Sequence, residues 1–217
     1  MNGFTSFAHF TELLTGQLHE PLPGHEVQLA MAPAHRMNLY TRLASGVGAV
    51  ESAVLLLCFP LGPEPGFVLT RRTPSRSVHG GQISLPGGKM ELQDTDAVAT
   101  ALRETEEEIG VAPTQLKVLG SLTPLYIPVS NFRVQPVVAA MAAKPAFRRS
   151  ALEVAEVIDA PMKDLLDPER IGTAEFTGAD KRLFTAPYFD IAGHVVWGAT
   201  AMILSEFKAV LQSFVRP

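Results

Sequence analysis

The sequence predicts an α/β fold: a mixed β-sheet with helices packed on both faces, an α/β/α sandwich. Three observations carry this reading. Strand-length apolar runs lie around 53–59, 66–71, 116–123, 133–140 and 153–159. A helix over roughly 96–109 falls between them, and a segment from Ala199 to Val215 places apolar residues at helical intervals, as a closing helix on the opposite face would.

Taken in order, Phe4 to Leu14 reads as an amphipathic helix, followed by a stretch containing Pro21, Pro23 and Pro33. Residues 1–45 are therefore expected to form a helix and an extended lead-in packed on a domain spanning 46–217. The run Val54-Leu55-Leu56-Leu57-Cys58-Phe59 is a buried strand, which makes Cys58 a buried thiol. Phe67-Val68-Leu69 begins the next strand, which ends at Arg71-Arg72. Asp94 and Asp96 are both candidate N-caps, Ala97 to Leu102 propagate well as helix, and Gly110 is the C-terminal stop. Near the end, Val195 to Trp197 is a short strand, with Trp197 expected in the core.

Composition narrows the class. The chain has 217 residues, 47% apolar and 18% charged, enough for one sizeable core. A single cysteine excludes an intrachain disulfide. A net charge of −4 argues against general nucleic-acid binding, which needs a cationic surface to displace counterions. No apolar run approaches the ~18 residues of a membrane span, and no basic segment followed by a long apolar stretch opens the chain. The expectation is a cytoplasmic protein acting on a small molecule, as a monomer or homodimer.

The chemistry concentrates in one helix. Glu104, Glu107 and Glu108 stand at i, i+3 and i+4, so their carboxylates share a face about one turn apart. Arg103 is the one cation in that helix. Each like-charged i,i+4 pair costs roughly 0.2–0.5 kcal/mol, and acids in the last turn also oppose the helix dipole. A hard divalent cation, Mg²⁺ or Mn²⁺, would relieve the repulsion by sharing these oxygens with substrate phosphates. On its own this spacing more often marks a solvated acidic face; its surroundings set it apart.

Gly87-Gly88-Lys89 followed by Arg103-Glu104-Thr105-Glu106-Glu107-Glu108-Ile109-Gly110-Val111 resembles the Nudix box: Gly, five residues, Glu, seven residues, then R-E-U-x-E-E-x-G-U with U apolar. Thr105 occupies the first U position, Thr95 stands where the box has Glu, and the loop from Gly88 to Arg103 is one residue longer. Asp94, Asp96 or Glu91 could supply the missing acid. Upstream, Leu69-Thr70-Arg71-Arg72-Thr73, Arg76 and His79-Gly80-Gly81-Gln82-Ile83-Ser84-Leu85-Pro86-Gly87-Gly88 are similar to the coenzyme A pyrophosphatase branch, as are Leu119 to Val138 and Val195 to Leu204.

The resemblance implies a Nudix fold and metal-dependent cleavage of the coenzyme A pyrophosphate to 4′-phosphopantetheine and adenosine 3′,5′-bisphosphate. Glu104, Glu107, Glu108 and the backbone at Gly88 would hold metal. Arg103 would orient a neighbouring glutamate, and Arg71, Arg72, Arg76, His79 and Gln82 would contact substrate. The same residues also have plainer readings: a strand-end charge for one of the two adjacent arginines, a loop-holding histidine for His79. An acid outside the helix is expected as base or further ligand, Glu153 in preference to Glu156; three residues apart, the two point to opposite faces of a regular strand. Other Nudix substrates (ADP-ribose, a dinucleotide, a nucleoside triphosphate) and a non-catalytic nucleotide sensor are the alternatives, the last disfavoured by the intact glutamate trio.

Overall fold

A computed structural model describes residues 3–36, 48–74, 81–178 and 182–215. In chain order its principal elements are α1 (Phe7–Leu18), α2 (His25–Leu29), β1 (Val50–Leu61), β2 (Glu64–Arg72), β3 (Ile83–Ser84), β4 (Gly87–Lys89) and α3 (Ala97–Ile109). There follow β5 (Lys117–Ser121), β6 (Leu125–Ile127), β7 (Phe132–Ala140), β8 (Val154–Pro161), α4 (Met162–Leu166), β9 (Ile171–Thr177), β10 (Leu183–Ile191), β11 (His194–Trp197) and α5 (Gly198–Gln212).

The long central strand β1 organises a mixed sheet. It pairs antiparallel with β2 and β4 and parallel with β7, while β8 pairs with β2 and β5 and β6 pair with β7. Alternation along the strands divides the core into two layers, because successive side chains leave opposite faces. Leu56, Cys58, Phe67 and Leu69 join one cluster with Phe10 and Leu14 of α1 and Met202, Leu204 and Phe207 of α5. Leu55, Leu57, Phe59 and Val68 join the other with Ala101 and Ile109 of α3. The helix bearing the glutamates and the closing helix thus lie on opposite faces of an α/β/α sandwich.

A buried carboxylate ties the first face together. Glu206 of α5 has no exposed surface. It accepts hydrogen bonds from Gly24 N–H (3.1 Å), Gln28 Nε2 (2.8 Å) and both the N–H (3.1 Å) and hydroxyl (2.6 Å) of Thr123. These donors satisfy its oxygens, as a buried charge requires, and they come from the N-terminal segment and the β5–β6 connection.

A second sheet, β11-β10-β9, contains the short strand expected at Val195 to Trp197, now β11, and adds β9 and β10, which are not among the strands expected from the sequence. Strand β9 alternates exposed and half-buried positions and has no continuous apolar run, so its pairing with β10 is what makes it a strand. Trp197, expected in the core, is instead partly exposed: its ring stacks on Phe176 at 4.3 Å and lies 5.7 Å from Phe184. The register pairs Phe176 with Phe184 and Trp197 with Tyr188, so the indole joins the rings of the second sheet rather than the main sandwich.

Replacing Glu206 by Ala leaves four donors without their acceptor. Urea denaturation should show a loss of about 2–4 kcal/mol, with earlier proteolytic cleavage between α1 and α2.

Candidate active site

Local signals set the ends of α3. Asp96 is the N-cap, its Oδ1 accepting from Ala99 N–H at 2.8 Å, and Gly110 closes the helix at φ 72°, the left-handed conformation that glycine adopts without strain. Thr105, the polar residue in an apolar slot, is fully buried, and its hydroxyl donates to the Ala101 carbonyl at 2.7 Å. That bond satisfies the hydroxyl within the helix and lets the rest of the side chain pack.

With Asp96 capping, Asp94 has another task. Its two oxygens accept from Arg103 Nε (3.0 Å) and Nη2 (2.9 Å), a bidentate pair, and it also receives the Thr100 hydroxyl at 3.0 Å. The Arg103 guanidinium holds the Asp94 carboxyl well below the usual carboxylate range. Asp94 stands six positions after Gly88, so the extra residue of the loop falls between Asp94 and Arg103. Of the three acids left open by the sequence, Asp94 is the one that meets Arg103.

The rest of Arg103 is equally committed. Nη1 donates to Glu104 Oε1 (3.0 Å) and Glu107 Oε2 (3.2 Å), and Nη2 donates to the Lys89 carbonyl (3.0 Å). The arginine therefore fastens the helix face to the end of β4.

Glycines bring that strand close. A methyl on Gly87 would lie 2.3 Å from the Ala53 carbonyl oxygen, and one on Gly88 would lie 2.3 Å from Glu104 Oε1. Gly88 thus puts bare backbone against the Glu104 carboxylate.

The glutamates descend from solvent into the protein. Side-chain exposure is 54% for Glu107, 15% for Glu104 and 4% for Glu108. Glu108 accepts from Gly87 N–H at 3.3 Å and faces Arg72 Nη1 at 3.6 Å. Burial pushes its pKa up to about 7, against the pull of Arg72 and Gly87 and with the help of repulsion from Glu104 and Glu153. Burial likewise raises Glu104, with Glu107 and Glu153 adding to it.

Glu153, immediately before β8, is therefore within electrostatic reach of both helix carboxylates, and its carbonyl is held by Thr73 N–H at 2.9 Å. Glu156 turns elsewhere: it pairs with Arg71 at 2.9 Å, and Arg71 Nη2 lies 3.1 Å from His194 Nδ1. Adjacent arginines on β2 thus diverge, Arg72 toward Glu108 and Arg71 toward Glu156 and β11. Nothing in the sequence drew attention to His194. The Gln82 carbonyl accepts from Arg72 N–H at 3.0 Å. Arg76 and His79 lie outside the described residues. Cys58 is fully buried, which drives its thiol pKa far up and leaves it inert.

Among the described residues no three acidic, histidine or cysteine side chains already converge on one point suited to a metal. The three helix glutamates are instead paired with arginines: Glu104 and Glu107 with Arg103, Glu108 with Arg72. The donor set nevertheless fits a hard divalent cation: oxygen ligands only, mutually repelling, with backbone stripped bare at Gly88 beside one of them.

This arrangement agrees with what the chain is similar to. The NUDIX domain family matches residues 52–177, more than half of the chain. A relative from Yersinia pestis (strain Pestoides F), "Uncharacterized Nudix hydrolase NudL", is 32% identical over 197 residues, covering 89% of this chain and 95% of its own. Among solved structures, the Nudix hydrolase RenU from M. smegmatis superposes with a TM-score of 0.55 at 17% identity, over 78% of this chain and 89% of its own. A C. elegans Ap4A hydrolase binary complex gives 0.51 at 18% identity, over 76% and 99%. The two structures establish the likeness of fold.

The chain belongs to the Nudix family. It is a Nudix hydrolase, a pyrophosphohydrolase of nucleoside diphosphate derivatives, a family that generally works with divalent metal ions.

The raised Glu108 pKa has a thermodynamic consequence. Ionising a group whose folded pKa exceeds its ordinary value destabilises the fold, so stability present below pH 4.5 is lost as pH rises through about 7. In metal-free buffer, Glu108→Gln should melt above the wild type at pH 8, by at most on the order of 3 kcal/mol. The advantage should vanish toward pH 4.5, a comparison thermal unfolding makes directly.

Proposed function

We propose that this hydrolase cleaves the pyrophosphate of coenzyme A, free or acylated, into 4′-phosphopantetheine and adenosine 3′,5′-bisphosphate. The observation that carries the chemistry is the wall of carboxylates Glu104, Glu107, Glu108 and Glu153, graded from solvent into the protein and bordered by bare backbone at Gly88. The substrate assignment rests on the upstream motif. Its described part, Arg71, Arg72 and Gln82, lies where β2 ends beside Glu108 and β3 begins.

In this mechanism Glu104, Glu107 and Glu108, with the Gly88 backbone, would hold Mg²⁺ or Mn²⁺. A metal held there would supply charge to offset the pyrophosphate and would lower the pKa of the attacking water. Glu153 accepts that water's proton as its oxygen bonds to phosphorus, and the P–O bond of the anhydride breaks to release the second phosphate. Arg103 keeps Glu104 and Glu107 in place rather than touching substrate, since all of its donors are already engaged within the box. Arg72 supplies cationic charge to the substrate. Arg71 is braced by Glu156 and gives a second positive group at the strand end.

The test is product analysis by mass spectrometry after incubation with Mg²⁺ or Mn²⁺ and, separately, coenzyme A, ADP-ribose, NADH, a diadenosine polyphosphate and a nucleoside triphosphate. Metal-dependent release of 4′-phosphopantetheine from coenzyme A in preference to turnover of the others is the expected result. Preference for another compound would retain the hydrolase and discard the substrate. Glu107→Gln should lower turnover by at least about a hundredfold, while changing stability by less than about 0.5 kcal/mol because the side chain is mostly solvated. Near-normal rates in that variant would refute the metal-site assignment.

A further inference from the structure

Two arginines face the carboxylates, and they are held very differently. Arg103 donates to Asp94 twice, to Glu104, to Glu107 and to the Lys89 carbonyl, all within 3.2 Å. Arg72 meets Glu108 at 3.6 Å, an ion pair longer than a hydrogen bond, and its side chain is 39% exposed. Its backbone is fixed by the β2–β8 ladder and by the Gln82 carbonyl, leaving a long flexible stem to position the guanidinium. Glu108 is 3% exposed. A buried carboxylate needs a cation close by if it is to remain charged, and Arg72 is the cation the described residues supply.

We propose that Arg72 is an exchangeable counter-ion: it neutralises Glu108 while no divalent cation is bound and is displaced from it when one arrives. The inference rests on the metal-hydrolase reading above and adds an internal competitor to it. Arg72 lies against Glu108 Oε1 while Oε2 accepts from Gly87 N–H, so a divalent ion at this carboxylate competes with the guanidinium, and their like charges repel. Arg103 cannot play this part, because moving it would also abandon Asp94 and the Lys89 carbonyl. Displacement leaves the Arg72 guanidinium available to an anionic substrate, so the metal would prepare the cationic side of the cleft as well as its acidic side.

The experiment is Mn²⁺ binding to the full chain without nucleotide at pH 8, followed by the electron paramagnetic resonance signal of free Mn²⁺. Arg72→Gln should bind Mn²⁺ more tightly than the wild type, on the order of three- to tenfold, the strength of a partly exposed ion pair. Arg72→Lys, which retains the charge, should stay near the wild type. In a Glu108→Gln background the Arg72→Gln substitution should change the affinity by less than about twofold, because the competition has lost its object. A gain that persists in that background would reduce the effect to general electrostatics and overturn the proposal, as would unchanged or weaker binding in Arg72→Gln alone. Glu107→Gln separates the two levels of the argument. If it weakens Mn²⁺ binding while Arg72→Gln brings no gain, the exchange fails and the metal site stands; if it leaves Mn²⁺ binding untouched, the metal site itself fails.

Discussion

The contact on which the site depends is the Arg103 guanidinium, which spans Asp94, Glu104, Glu107 and the Lys89 carbonyl. It joins a loop acid, two helix acids and a strand end that no regular hydrogen-bond ladder connects. Planarity matters here: a fork of fixed donors can serve two edges at once, which a lysine ammonium cannot. The glycines make the contact possible from the other side. Side chains at Gly87 or Gly88 would push β4 off β1 or off Glu104, and the carboxylate face would no longer meet the backbone.

That assembly is poor for stability, which is what makes it a candidate site. Three acids occupy one helix face toward its C-terminal end, one of them nearly buried with its pKa pushed up to about 7. Burial supplies the larger part of that shift and like-charge repulsion the rest. A helix selected for folding alone would place lysines there. Perturbed titration of this kind, from desolvation plus specific neighbours in one cluster, marks sites where chemistry outweighs packing.

The opposite face of the sheet supports this one without sharing its chemistry. Alternation along β1 sends Leu55, Leu57 and Phe59 under α3, and Leu56 and Cys58 under α1 and α5. Glu206 then binds the N-terminal segment and the β5–β6 connection to α5 through a satisfied buried carboxylate. The contrast between the two glutamates is instructive. Glu206 is surrounded by hydrogen-bond donors and is structural, whereas Glu108 has one long backbone bond, one loose arginine and two like-charged neighbours.

By itself the sequence determined what depends on neighbours within a few residues. The ends of α3 follow from Asp96 and Gly110, the central strands from their apolar runs, and the common face of Glu104, Glu107 and Glu108 from the helical repeat. The tertiary structure decided everything that requires a partner remote in the chain. It chose Asp94 over Asp96 and Glu91 as the partner of Arg103, set Arg72 against Glu108 and Arg71 against Glu156, and brought Glu153 within electrostatic reach of the helix carboxylates. It also paired β9, which has no apolar run of its own, with β10 beside β11, and set Trp197 in a partly exposed aromatic cluster. Periodicity states which way a side chain leaves its own element; what stands opposite it is a matter of distance between elements, and only the folded chain defines those distances.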